Sequence, residues 1–135
     1  MRVHLAIAVC ALALVSIVMP MAAHHSVPAT FDISKEVTIQ GAVTRIDWTN
    51  PHTRFWVDAR NADGTVSNWE LELPPPNALK RRVDLNFIKP GDQVTVVVWQ
   101  AKDGSRLANT LTLTFQDGRV FNFSRSTTQN WEPLK

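Results

Sequence analysis

The sequence predicts an all-β domain with one short helix, arranged as a small barrel of the OB type. Three observations predict it. Short β-rich runs are separated by Asp-Gly turns, the first run is long with a glycine in its middle, and one helical interval follows the third run. A β-sandwich and an open antiparallel sheet remain alternatives, because periodicity alone does not fix the order of the strands.

The first strand is predicted over residues 37–48, where β-branched and aromatic residues are frequent. The apolar residues change parity along this run, and Gly41 lies in its middle. A parity change next to a strand glycine indicates a bulge or a bend. The turn Asn50-Pro51-His52 then ends the strand, because proline cannot continue a central ladder.

The second and third strands are predicted over residues 53–60 and 65–73, joined as a hairpin. Asp63-Gly64 favours the tight turn between them because glycine tolerates a positive φ. The second strand alternates, with Phe55 and Val57 opposite Trp56. The third strand has apolar residues on one face and acidic residues on the other: Trp69, Leu71 and Leu73 against Glu70 and Glu72.

The helix is predicted over residues 77–87, with Asn77 as its N-cap and apolar residues recurring every fourth position. Three further strands are predicted after it. They cover residues 94–99, 107–115 and 119–123, and each is preceded by a turn that contains glycine. A polar C-terminal tail occupies residues 124–135.

Residues 1–23 have the pattern of a secretory signal peptide. Arg2 provides a positive start, residues 5–18 form an apolar run, and Ala22-Ala23 offers small residues for cleavage. We expect cleavage after Ala23, a periplasmic or secreted location, and no stable membrane span afterwards. The expected organisation is then an N-terminal segment over 24–36, a β-domain over 37–123 and the tail.

The expected mature chain is small, nearly neutral and free of cysteine. Removing 23 of the 135 residues leaves 112, with 13 basic and 12 acidic residues, because Arg2 is the one charge lost. Its single cysteine, Cys10, is lost with the signal, which excludes disulfides and a thiol nucleophile. A net charge of +1 argues against nucleic acid as a partner.

Five short motifs lie along the chain from Ala23 onwards: Ala23-His24-His25-Ser26, Phe31-Asp32, Asn50-Pro51-His52, Trp69-Glu70-Leu71-Glu72 and Lys89-Pro90-Gly91-Asp92. The most specific parts are the histidine pair, the Asn-Pro-His turn and the Trp-x-x-Glu motif. Together these motifs resemble those of a family of small exported bacterial proteins known as a domain of unknown function (DUF family 6152). The resemblance implies an exported protein and no established activity.

The expected mature chain has three histidines, His24, His25 and His52. After cleavage behind Ala23, His24 presents its α-amine and its imidazole together, and His52 could add a third nitrogen. Cleavage one residue earlier would make His25 the third residue behind a free amine. Both arrangements favour Cu(II), which binds nitrogen ligands most strongly among the divalent metals. Zinc is the alternative, with Glu70 or Glu72 as a carboxylate ligand.

Three further residues are candidates for a site. Glu72, with Glu70, suits acid–base chemistry, although a solvated strand face paired with Arg45, Arg54 or Arg60 is the alternative. Trp56 lies on the polar parity of its strand, where a base or a sugar could stack, and Trp69 belongs to the Trp-x-x-Glu motif.

We expect a binding module rather than an enzyme, with a metal ion or an envelope protein as its partner. The leading hypothesis is copper binding through His24, His25 and His52. The alternatives are a module that binds another envelope protein without metal, and an enzyme of unknown reaction.

Overall fold

A computed structural model describes residues 26–124 of the chain. The predicted signal peptide, His24, His25 and the predicted tail beyond Ser124 lie outside the described residues. In chain order the elements are α1 (Val27–Thr30), β1 (Phe31–Asp47), β2 (Thr53–Arg60), β3 (Val66–Leu73), α2 (Pro76–Leu79), a 3-10 helix (Leu85–Phe87), β4 (Gln93–Ala101), β5 (Leu107–Phe115) and β6 (Val120–Asn122). No helix in this part of the chain has the length and apolar character to cross a membrane.

The strands form one sheet that closes on itself. Their order is β3-β2-β1-β4-β5-β6, with antiparallel neighbours throughout. A parallel pairing between β3 and β5, from Glu70↔Leu107 to Glu72↔Asn109, closes the sheet into a ring. The ring β1-β2-β3-β5-β4 confirms the predicted all-β class and its barrel-like arrangement.

The first strand is longer than predicted and bends at a different place. It begins at Phe31, whereas the sequence predicted that it would begin at residue 37. Its register against β2 shifts between Val43 and Arg45, so the bulge that changes the parity lies after Gly41. Gly41 has another role. A Cβ atom there would collide with the carbonyl oxygen of Asp58 on β2, so glycine permits the close approach of the two backbones.

The predicted single helix over 77–87 is wrong in its details. Two short pieces replace it, α2 and the 3-10 helix, and Pro75 rather than Asn77 is the N-cap of α2. Asp84 caps the 3-10 helix by accepting a hydrogen bond from the backbone N–H of Asn86 at 2.9 Å. The apolar residues at every fourth position nevertheless point into the core, since Leu79 and Phe87 are both buried.

The core fills the interior of the ring. Alternation along β2 buries Phe55 and Val57 and exposes Arg54 and Asp58, as the sequence predicted. Aromatic rings pack around Phe87 where the helical interval meets the strands. The largest fully buried side chains are Phe55, Leu71, Leu73, Leu79, Leu113, Val57, Val96, Val98 and Thr53.

Aspartates organise several of the exposed turns. At the β2–β3 hairpin, Asp63 accepts hydrogen bonds from the Thr65 hydroxyl at 2.6 Å and from the Thr65 backbone N–H at 2.9 Å. These donors hold the pKa of the Asp63 carboxyl below its usual range. The pKa is lowered for the same kind of reason at Asp103 and Asp117 in two other turns, and at Asp32 near the start of β1.

These turns predict a loss of stability in acid. A carboxylate whose pKa is lower in the folded than in the unfolded chain stabilises the fold above the unfolded pKa of about 3.9. That stabilisation disappears as the pH falls through the folded pKa. We therefore expect the urea midpoint to be level from pH 7 to pH 5 and to fall below about pH 4. Asp63→Asn should reduce this decline, and a midpoint that rises between pH 5 and pH 3 would contradict the account.

Candidate functional site

The residues that precede β1 are fastened to the β4–β5 hairpin. The Lys102 ammonium donates a hydrogen bond to the carbonyl oxygen of Pro28 at 2.7 Å. The backbone N–H of Lys102 donates to the carbonyl oxygen of Thr30 at 3.0 Å, and Phe31 pairs with Ala101. The described chain therefore starts, at Ser26, beside the tip of this hairpin.

His52 lies in the connection between β1 and β2. It follows the Asn50–Pro51 bond, which is cis, and its side chain is half-buried. The next residue, Thr53, pairs with Leu73 at the end of β3. The seventeen residues of β1 separate this connection from the hairpin that holds Pro28 and Thr30. His24 and His25, the other two predicted ligands, lie outside the described residues.

Glu70 and Glu72 lie on the outer face of β3 and share one cation. Arg54 on β2 approaches both, with Nη1 3.1 Å from Oε1 of Glu70 and Nε 4.0 Å from Oε1 of Glu72. The side chain of Glu72 is only 12% exposed, whereas that of Glu70 is 32% exposed. This is the cross-strand pairing that the sequence offered as the alternative to acid–base chemistry.

Trp56 also faces outward, but one face of its ring is covered. The guanidinium carbon of Arg45, its cross-strand partner on β1, lies 3.6 Å from the ring centroid. An Arg stacked on an indole is a favourable cation–π contact. Arg45 therefore occupies one of the two ring faces on which a base or a sugar could stack. Beside it on β3 lies Glu70, the register partner of Trp56.

Trp69 does not lie on this polar face. It belongs to the opposite face of β3, which points towards the core. Its ring is half-buried and packs against the core, and it lines a cavity of about 410 Å³. The other lining residues are 37–40 of β1 and 59–61 at the end of β2. We call this cavity the Trp69 groove. Trp69 and Glu72, which share one motif, thus face opposite sides of the sheet.

The described residues do not assemble a metal centre by themselves. Within residues 26–124, no three side chains of His, Cys, Asp or Glu form a group that could hold a metal ion. The outer face of β2 and β3 instead offers two occupied pairs, Arg54 with its glutamates and Arg45 with Trp56. This outer face is therefore a polar surface on which these charged side chains are already paired with one another or with an aromatic ring.

Two features of the surface were missed from the sequence. Lys102 lies in the glycine-containing turn predicted before residues 107–115, and nothing in the sequence indicates that it fastens Pro28, 74 positions away. Arg60 was considered only as a partner for glutamate, although it lies on the rim of the Trp69 groove. The cavity is created by strand topology, and local periodicity contains no signal for it.

The structure defines the class of protein as a small β-domain in which five strands close a barrel-like ring and a sixth extends the sheet. The chain belongs to a family of unknown function, DUF6152, which it matches over residues 11–110. No curated relative and no solved structure matches it.

Proposed function

We propose that this protein is an exported binding module whose mature N-terminus holds Cu(II) through His24 and His25. The observation that carries the proposal is the attachment of residues 28–30 to Lys102, two hydrogen bonds of 2.7 and 3.0 Å. Because residues 28–30 are attached in this way, the proposed N-terminus would leave the domain at a fixed point, a few residues before β1.

The chemistry of the ligands favours copper. Export with cleavage after Ala23 would leave His24 with its α-amine and imidazole, two nitrogens that can chelate one ion. Cleavage before Ala23 would place His25 third in the chain, where its imidazole joins the amine and the intervening amide nitrogens in a square plane. Cu(II) accepts both arrangements and binds nitrogen more strongly than zinc does.

The geometry supports copper over zinc for a second reason. A zinc site was predicted to use Glu70 or Glu72 as its carboxylate ligand. Arg54 lies 3.1 Å from Glu70 and 4.0 Å from Glu72, so a zinc ion would have to compete with this cation for both carboxylates. A site made of terminal nitrogens has no such competitor.

The proposal does not require His52, which the sequence predicted as a third ligand. It lies beside the end of β3, whereas the start of the described chain lies beside the β4–β5 hairpin. The amine, amide and imidazole nitrogens of the N-terminus can bind copper without it. The proposal therefore assigns the ion to His24 and His25 and treats His52 as the matched control.

The test is a competitive Cu(II) titration of a chain that begins at His24, produced with no extra residue. We expect one equivalent to bind more tightly than micromolar. Replacing both His24 and His25 by alanine should weaken binding at least 100-fold, because the α-amine is then left without an imidazole beside it to complete the chelate. His52→Ala should change the affinity less than tenfold. Binding no tighter than micromolar, or equal losses in the two variants, would contradict the assignment.

A further inference from the structure

One segment of β1 is paired on a single side. Residues Glu36 to Ala42 of β1 pair with β4, whereas the ladder between β1 and β2 begins only at Gly41. Within residues 26–124, no strand pairs with positions 37–40 on the side where β2 would continue. We call residues 37–40 the open edge. An unpaired strand edge presents main-chain N–H and C=O groups that match another extended chain.

The open edge borders the Trp69 groove. Residues 37–40 form one wall, residues 59–61 at the end of β2 form another, and Trp69 contributes a half-buried indole. Ile39 and Ala59 add buried apolar surface, while Thr38 and Gln40 are exposed. The groove thus combines a main-chain edge with an apolar floor, which are the two elements of peptide recognition by strand addition.

The charge of the groove is positive. Arg60 is the one charged residue that lines it. Its Nη1 makes a single long hydrogen bond of 3.5 Å to the Gly64 carbonyl oxygen, so most of its donors point to no acceptor in the described chain. Asn61, by contrast, is engaged with Thr65 and Ser67. A carboxylate is the natural partner of the free guanidinium donors.

We propose that the Trp69 groove binds an extended segment of another polypeptide, which adds as a strand to the open edge of β1. An apolar side chain of that segment covers Trp69, and an acidic side chain pairs with Arg60. The edge of four to five residues accommodates about 15 Å of extended chain. A saccharide would use the indole but not the strand edge, and for this reason a polypeptide is the better occupant. The proposal is independent of copper and of the N-terminal histidines.

The test is selection from a library of random octapeptides on the chain that begins at His24, with Arg60→Glu and Arg81→Glu as parallel targets. Arg81 is exposed and lies outside the groove, so its variant carries the same charge change elsewhere. Both variants should unfold at the wild-type temperature within about 2 °C, since surface substitutions change stability little. We expect enriched peptides to alternate apolar residues with an acidic one. Arg60→Glu should weaken their binding at least tenfold, and Arg81→Glu less than twofold.

A second measurement locates the bound peptide. Backbone amide signals of residues 37–40 should shift on titration, and their hydrogen exchange should slow, because a new ladder protects edge amides. The proposal would be overturned by the absence of any enriched peptide, by equal binding to the two variants, or by shifts confined to other strands. Binding of chitotetraose that displaces the peptides would overturn it in favour of a saccharide site.

Discussion

Replacing Gly41 by alanine is expected to lower the free energy of unfolding by about 3 kcal/mol, because the new methyl group overpacks the β1–β2 ladder. The added Cβ would lie against the carbonyl carbon and oxygen of Asp58, atoms of the β2 backbone that no rotamer change can move aside. Separation of the strands would break the pairing of Gly41 with Ala59. Urea unfolding followed by near-ultraviolet circular dichroism measures the loss.

Gly104→Ala is the matched control for this substitution. Gly104 has a φ of +78° in the β4–β5 turn, and no atom lies within 4 Å of the position that its Cβ would take. Its replacement introduces backbone strain without a steric collision, and we expect a loss of about 1 kcal/mol. If Gly41→Ala destabilises the protein less than Gly104→Ala, the close approach of β1 and β2 does not restrict this position.

Replacing Phe87 by alanine is expected to lower the free energy of unfolding by about 4 kcal/mol, within the range for buried aromatic residues. Phe87 is 7% exposed and is surrounded by rings. Its centroid lies 4.9 Å from that of Phe121 and 6.4 Å from those of Trp48 and Phe115. Truncation would leave a cavity that three rigid rings cannot fill. Thermal and urea unfolding should both report the loss.

Val66→Ala is the control for this second substitution. Val66 begins β3 but is 56% exposed, so its truncation should change stability by less than about 0.5 kcal/mol. Phe87→Leu should recover part of the loss, since it restores apolar volume without restoring the ring contacts. Equal effects of Phe87→Ala and Val66→Ala would mean that the helical interval does not close the core.

Alternation predicted the strands well because each strand buries one face. Phe55 and Val57 point inward and Arg54 points outward, as a period of two requires. The closing of the ring could not be derived in this way. It depends on three residue pairs between β3 and β5, which lie more than 35 positions apart and leave no local pattern. The helical interval was predicted as one helix because Leu79 and Phe87 have helical spacing, but the chain between them is not one continuous helix.

The site residues were predicted less well than the fold. The sequence presented Glu72 and Trp69 as parts of one motif but placed them on opposite faces of the strand, as the structure does, so the motif does not form one site. Trp56 had the parity of an exposed stacking platform, but the bulge in β1 brings Arg45 opposite it, and Arg45 covers one face of the ring. The attachment of Pro28 to Lys102 joins the two ends of a long stretch of chain, and only the tertiary structure brings them together.

The measurement that tests the central proposal most directly compares Cu(II) affinity for two chains. One begins at His24, and the other carries four extra residues, Gly-Ser-Gly-Ser, ahead of His24, so that neither His24 nor His25 lies among the first three residues. The extension keeps every histidine but removes the α-amine from the first chelate ring. If the N-terminus holds the ion, the extended chain should bind at least 100-fold more weakly. Equal affinities would show that the histidines bind copper as ordinary side chains, and the proposed N-terminal site would be wrong.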